Sequence, residues 1–203
     1  ETLFVSEQGK ESVLLPASEV PLKGAHNISN VLLAALATLS FGITLRDVRA
    51  AIKSFSGIPH RLEKIAEKNG VAYYNDTAAT IPDAAIVALR SFSEPVILIA
   101  GGSDKRLDFM LFAEEILARP KGLILFRGEG TEKIIQAIRK LLPESEKERP
   151  FEVVESMEKA VELASRSAEP GDVVLLSPGA ASFGLFKNEF DRGEQFRKAV
   201  ERA

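Results

Sequence analysis

The sequence has no cysteine and only two histidines, His26 and His60. Without cysteine there is no disulfide and no thiolate-held metal, which fits a reducing compartment. Two histidines are too few for a histidine-rich metal site. Basic residues are not in excess: 26 Lys and Arg against 29 Asp and Glu give a formal net charge of −3. A general grip on nucleic-acid phosphates is therefore not expected. No apolar run approaches the roughly 20 residues that cross a bilayer. The longest, Val31 to Ile43, is interrupted by Thr38, Ser40 and Gly42. No basic segment followed by an apolar core opens the chain, so no secretory leader and no membrane association are expected, and a cytoplasmic location is. The first residue is Glu1, inside a strand-like run, so the sequence reads as a piece of a longer protein. Internal repeats and low-complexity segments are also lacking.

What is present suits one ordinary globular domain with an appendage: 203 residues, 45% hydrophobic and 27% charged. Short strand-like runs, Leu3-Phe4-Val5 and Val13-Leu14-Leu15, flank Gly9 and suggest a hairpin. A helix capped by Asn27 or Ser29 and ending near Ser40 follows, with apolar residues almost all round, so burial is expected. Thr44 caps a second helix, Leu45 to Phe55. The turn Gly57-Ile58-Pro59 marks a domain boundary, giving 1–57 and 58–203. Beyond it, Asn69-Gly70 joins Leu62 to Ala66 and Val71 to Tyr74 as a second hairpin.

From there helices and apolar strands alternate. The helices are Pro82 to Ser91, Phe109 to Ala118, Thr131 to Leu142, Met157 to Ala168, and one from about Glu189 or Glu194 to the end. The strands are Val96 to Ala100, Gly122 to Phe126, Phe151 to Val154 and Val173 to Leu176, and the charged stretch Glu144 to Arg149 is a solvated loop. This order predicts an α/β fold with a mostly parallel, doubly wound sheet and an N-terminal partial domain.

In such a sheet, ligands sit at the loops that follow strand ends. The stretch Val71 to Ile81 puts Asn75-Asp76-Thr77 and Thr80 on one of them. A short acid with two hydroxyls suits a ribose hydroxyl, a phosphate–metal unit or an amino group; Asp76 and Thr80 would equally serve as caps of the next helix. Gly101-Gly102-Ser103-Asp104-Lys105 offers glycines that let an anion approach the backbone, and a lysine charge. Gly128-Glu129-Gly130 and Ser177 to Ser182 follow two further strands, with Lys187 and Arg192 beyond. Together they suit a small anionic ligand such as an amino acid or phosphate. Neither GxGxxG nor GxxxxGK[ST] occurs, so no known phosphate cradle is present.

Five stretches in order, LKGAHNISN, GIPHRLE, YYNDTAAT, IAGGSDK and LLSPGAASFGLFKNEFDRGEQF, resemble the C-terminal half of a Mur ligase, most nearly the branch that adds D-glutamate. The resemblance covers about Leu22 to the end. It implies that 1–57 is the end of a central ATPase domain whose P-loop and Mg2+ ligands lie upstream. It further implies that 58–203 is a complete Rossmann-like, amino-acid-binding C-terminal domain. The implied reaction is ATP-dependent amide formation between UDP-N-acetylmuramoyl-L-alanine and D-glutamate, in cytoplasmic peptidoglycan precursor synthesis. The resemblance implies that Asn27, Asn30, His60, Arg61 and Asp76 bind ATP, Asp76 at the ribose. It places Thr80, Lys105, Ser182, Phe183 and Arg192 at D-glutamate, with Lys105, Asp76 and Arg61 the residues on which turnover depends. No metal ligand falls within this chain, and a monomer is expected.

Two positions depart from the family pattern. Ala78 stands where a lysine is usual, and Glu189 precedes Phe190 where an aromatic is usual. Both loosen the assignment of D-glutamate more than that of a ligase. Other readings are a sister Mur or folylpolyglutamate-type ligase with another amino acid, or a noncatalytic nucleotide- or amino-acid-binding module. Because the ATPase machinery would lie upstream, these residues alone are expected to fold and bind nucleotide weakly, without turnover.

Overall fold

The computed structural model of the protein describes residues 1–7, 9–148 and 150–203. Two compact units result, Glu1–Gly57 and Ile58–Ala203.

In the first unit, strands β1 (Thr2–Glu7) and β2 (Lys10–Pro16) form an antiparallel hairpin, followed by helices α1 (Ala25–Ser40) and α2 (Leu45–Ser54). Leu3, Leu14, Leu15, Val20, Val31, Ala35 and Val48 make its core. Thr44 caps α2 by accepting from the Asp47 amide. α1 differs from expectation twice. It begins at Ala25 behind Gly24, with no side-chain cap, and Asn27 instead donates to the Lys23 carbonyl at 2.7 Å. Its burial is one-sided: Val31 and Ala35 are buried, whereas Leu33 and Leu36 stay 66% and 56% exposed. One hairpin and one short helix cover a single stripe of a helix that is apolar on most sides.

The second unit is a six-stranded sheet in the order β3-β4-β8-β5-β6-β7. The strands are β3 (Glu63–Lys68), β4 (Val71–Asn75), β5 (Val96–Gly101), β6 (Gly122–Phe126), β7 (Glu152–Val154) and β8 (Val173–Leu176). Only the β3–β4 pair is antiparallel. Its turn has Asn69 at φ 51° and Gly70 at φ 76°. Two successive positive φ values are what the tight hairpin turn needs, hence Asn-Gly.

The intervening helices are α3 (Pro82–Leu89), α4 (Met110–Ala118), α5 (Glu129–Leu141), α6 (Met157–Ser167) and α7 (Glu189–Arg202). Strand residues alternate between two cores. Leu98, Ala100, Leu125 and Leu175 face α3, α4 and α5, while Ile97, Ile99, Ile124 and Leu176 face α6 and α7. The chain winds outward from β4 to β7 with helices on one face. It then returns through α6, on the opposite face as a right-handed crossover in the reverse direction requires, and inserts β8 between β4 and β5. In the charged stretch, Glu144–Glu146 forms one exposed 3-10 turn; Arg149 lies outside the described residues. Among the described residues, no helix is long and apolar enough to cross a membrane.

Candidate functional site

Because β8 lies between β4 and β5, the loops leaving β4, β8, β5 and β6 stand side by side at one end of the sheet. β8 leads to α7 on one face, and its neighbours lead to helices on the other. This is the switch point at which open α/β sheets form a crevice.

Asp76 directly follows β4 in that crevice and is 7% exposed. One carboxylate oxygen accepts from the Leu62 amide at 3.1 Å and the other from Ser177 Oγ at 2.7 Å. Burial pushes its pKa up to about 6, against the lowering effect of these bonds and of the Arg61 charge. Asp76 is therefore not a helix cap, and neither is Thr80: the residue before α3 is Ile81, without a side-chain cap, and Pro82 takes the first helical position.

Lys105, from the β5 loop, reaches Thr80 Oγ1 at 3.4 Å. Its neighbour Asp104 is held by Lys133 of α5 and by the amides of Arg106 and Leu107, and the Lys133 bond keeps its carboxyl below the usual range. Asp104 is thereby engaged away from Lys105. Ser103 and Ala181 bridge the β5 and β8 loops by two backbone bonds, which sets buried Ser182 and 62%-exposed Phe183 beside the Lys105 loop.

The glycines have another purpose than the one expected. The Gly101 amide donates to the Pro178 carbonyl and the Gly102 amide to Thr131 Oγ1. The Gly102 carbonyl in turn accepts from Gly130 and Thr131 at the start of α5. A Cβ on Gly102 would lie 2.2 Å from the Ala181 carbonyl oxygen, and one on Gly128 2.3 Å from that of Gly102. These residues let three loops touch. The amides of Gly101, Gly102 and Gly130 are engaged by protein carbonyls and a hydroxyl and are not aimed at an anion.

Arg192 also differs from expectation. It is fully buried, and its guanidinium donates to Thr77 Oγ1, the Thr77 carbonyl and the Ala180 carbonyl at 3.0–3.2 Å. Burial lowers its pKa to about 10, still charged at neutral pH. With its donors aimed at these loop groups and no exposed surface, it offers a ligand carboxylate nothing in this arrangement.

His60 is likewise buried. Asn75 accepts from the Thr77 amide with Oδ1, so its Nδ2 donates to His60 Nδ1 at 3.0 Å. That makes Nδ1 an acceptor and turns the Nε2–H toward Glu194, 3.6 Å away. Arg61, next in sequence, is exposed. In the first unit, Asn27 and Asn30 lie on the first turns of α1, joined at 3.3 Å. Asn75, Ser177 and Thr131 carry no expected role from the sequence; Ser177 and Asn75 are visible in it only as polar residues at the ends of apolar strands.

The family description "Mur ligase, glutamate ligase domain" matches residues 60–179, more than half the chain and including the loops after β4, β5 and β6. The chain belongs to the Mur ligase family. UDP-N-acetylmuramoylalanine–D-glutamate ligases are among its relatives, 46% identical in Roseiflexus sp. (strain RS-1) over 99% of this chain, and 41% identical in Clostridium tetani over 98%. This Mur ligase chain spans 42% of the length of either relative. Among solved structures, MurF from Acinetobacter baumannii matches all of this chain and 42% of its own (TM-score 0.66, 16% identity). The folylpolyglutamate synthase of Thermotoga maritima matches 84% of this chain and 38% of its own (TM-score 0.55, 23% identity). At such identities the likeness is one of fold. Among the described residues of the Mur ligase chain, no group of three His, Cys, Asp or Glu side chains gathers as a metal cage.

Proposed function

We propose that this chain is the C-terminal part of an ATP-dependent ligase that joins D-glutamate to UDP-N-acetylmuramoyl-L-alanine in cytoplasmic peptidoglycan precursor synthesis. The observation that carries the reading is the pairing of Lys105 with Thr80 at 3.4 Å in the switch-point crevice, with Ser182 and Phe183 on the adjoining loop. The relatives named for D-glutamate match this chain almost end to end. An ammonium, a hydroxyl and a neighbouring serine loop suit the two carboxylates of a small amino acid.

On this reading, residues 1–57 close the central ATPase domain, and 58–203 present the amino acid. Asn27, Asn30 and Arg61 contact the nucleotide, and Asp76 binds its ribose. Asp76 suits a ribose because each of its oxygens accepts one protein hydrogen bond, leaving acceptor capacity for two vicinal hydroxyls. His60 supports Arg61 from beneath. Mg2+ would be held by residues upstream. ATP supplies the phosphoryl group that activates the alanyl carboxylate, and the amine of D-glutamate displaces phosphate. The chain's own part is to orient that amine and to neutralise the amino acid's carboxylates, which is positioning and electrostatics without a side-chain nucleophile.

The test is phosphate release by the intact gene product given ATP, Mg2+ and UDP-N-acetylmuramoyl-L-alanine. D-Glutamate is expected to stimulate release strongly. Stimulation by L-lysine, meso-diaminopimelate or L-alanine instead would move the substrate and make Ala78 a specificity position. No stimulation by any of them would overturn the ligase.

A further inference from the structure

Three consecutive residues at the start of α7 grip the two segments on which the proposed site depends. Arg192 binds Thr77 twice and Ala180 once, joining the β4 loop to the β8 loop. Thr77 Oγ1 also donates to the Glu189 carbonyl at 2.9 Å, so the hydroxyl both accepts from Arg192 and tethers α7. Gly193 leaves the slot that His60 fills: a Cβ there would lie 2.4 Å from His60 Nδ1 and 2.6 Å from Thr77 Cγ2. The Gly193 carbonyl accepts from Asn75 Nδ2 at 3.3 Å, and Glu194 faces His60 Nε2. The His60 backbone is fixed at both ends, its amide donating to Glu63 and its carbonyl accepting from Ala78.

We infer that Arg192 and Gly193 are positioning residues, Arg192 acting through Thr77 to place the amino-acid loops and Gly193 through His60 to place Arg61. A guanidinium is required because the three acceptors are met by three different nitrogens, Nε, Nη1 and Nη2, which the single nitrogen of an ammonium cannot reproduce. The acceptors are two carbonyls and a hydroxyl with no carboxylate among them, so the arrangement fixes loop geometry and is not a charge pair. Displacing a positioned group by about 1 Å can lower turnover about 100-fold.

This inference rests on the ligase reading, and its test separates the two. In the intact gene product, Thr77→Val removes the hydroxyl at nearly constant volume, and Thr77→Ser keeps it. Hydrogen exchange needs no substrate. Amides 77–80 and 180–182 are expected to exchange at least about tenfold faster in Thr77→Val, with β5 and β6 unchanged and Thr77→Ser close to the parent. In the kinetic arm, Thr77→Val is expected to raise the KM for the amino acid about tenfold and leave that for ATP. Gly193→Ala, whose Cβ meets both His60 and Thr77, is expected to raise both KM values. If exchange rises uniformly across the domain, or not at all, Arg192 is a stability element and the inference fails. If only Arg192 variants change KM while Thr77→Val does not, Arg192 contacts ligand directly and the inference fails. Loop-specific exchange without any amino-acid-dependent turnover in the parent supports the scaffold and overturns the ligase reading alone.

Discussion

Two halves of the same sheet rim use polar residues in opposite ways. The β5–β6 half is rich in glycine and looks in sequence like a place for an anion, yet it is closed by protein: Gly102, Gly130 and Thr131 donate to one another's loops, and Gly101 donates to the β8 loop. In the β4–β8 half, Asp76 keeps spare acceptor capacity despite its burial, and Thr80 receives exposed Lys105, which reaches across from the far end of the β5 loop. Glycine in a strand-to-helix loop thus marks close backbone approach, and here what approaches is another loop and not a ligand. Deciding between them requires knowing where each amide goes.

Substitutions should separate the halves. The largest effect is expected from Gly102→Ala, whose Cβ meets backbone at 2.2 Å with φ at 139°; a loss of about 3 kcal/mol or more in urea unfolding is expected. Asp76→Asn sharpens the contrast in the other direction. Its native pKa is raised from about 3.8 to about 6, so the folded state holds a proton that the unfolded chain releases, and stability falls as pH rises through that window. An amide has no such cost. The variant is expected to gain on the parent from pH 4 to 6, by up to about 3 kcal/mol, and to keep the gain above. Amino-acid-dependent phosphate release by the intact protein should meanwhile drop at least about tenfold. A variant that loses stability on the same rise in pH would contradict the raised pKa.

Thr131→Val leaves the Gly102 amide and the Phe126 carbonyl without their hydroxyl partner. About 2 kcal/mol of stability should be lost, with unchanged KM for the amino acid in the folded fraction. The smallest change in stability belongs to Lys105→Met, within about 0.5 kcal/mol because the side chain is exposed. Its KM for the amino acid should rise about tenfold or more. A KM effect at Thr131 equal to that at Lys105 would erase the distinction between the closed glycine cluster and the open crevice where Lys105 meets Thr80.

The alternation of elements is legible in the sequence because each signal is local. Apolar runs of four to six residues mark β5, β6 and β8, Asn69-Gly70 marks the hairpin, and Thr44 and Pro82 mark helix starts. The position of β8 is not legible, since its pairing with β4 and β5 depends on contacts about 75 to 100 residues apart along the chain. For the same reason Ser177 cannot be seen as the partner of Asp76. The burial of α1 departs from expectation because its composition records which residues could be covered, and Leu33 and Leu36 show that composition does not say which are. Arg192 departs in the opposite sense: arginine is rarely fully buried, and only its three loop acceptors explain how it is tolerated.

The two outer strands of the six-stranded sheet have a consequence for life at high concentration. β7 is three residues long, and β3, EKIAEK, carries two lysines and two glutamates and runs antiparallel to its one neighbour, β4. A short margin on one side and a charged one on the other give a second molecule little to extend by strand pairing. The apolar runs most prone to self-association, VILIAG and VVLL, are the innermost strands of the stack. Growth of intermolecular sheet from this unit would have to begin with its unfolding.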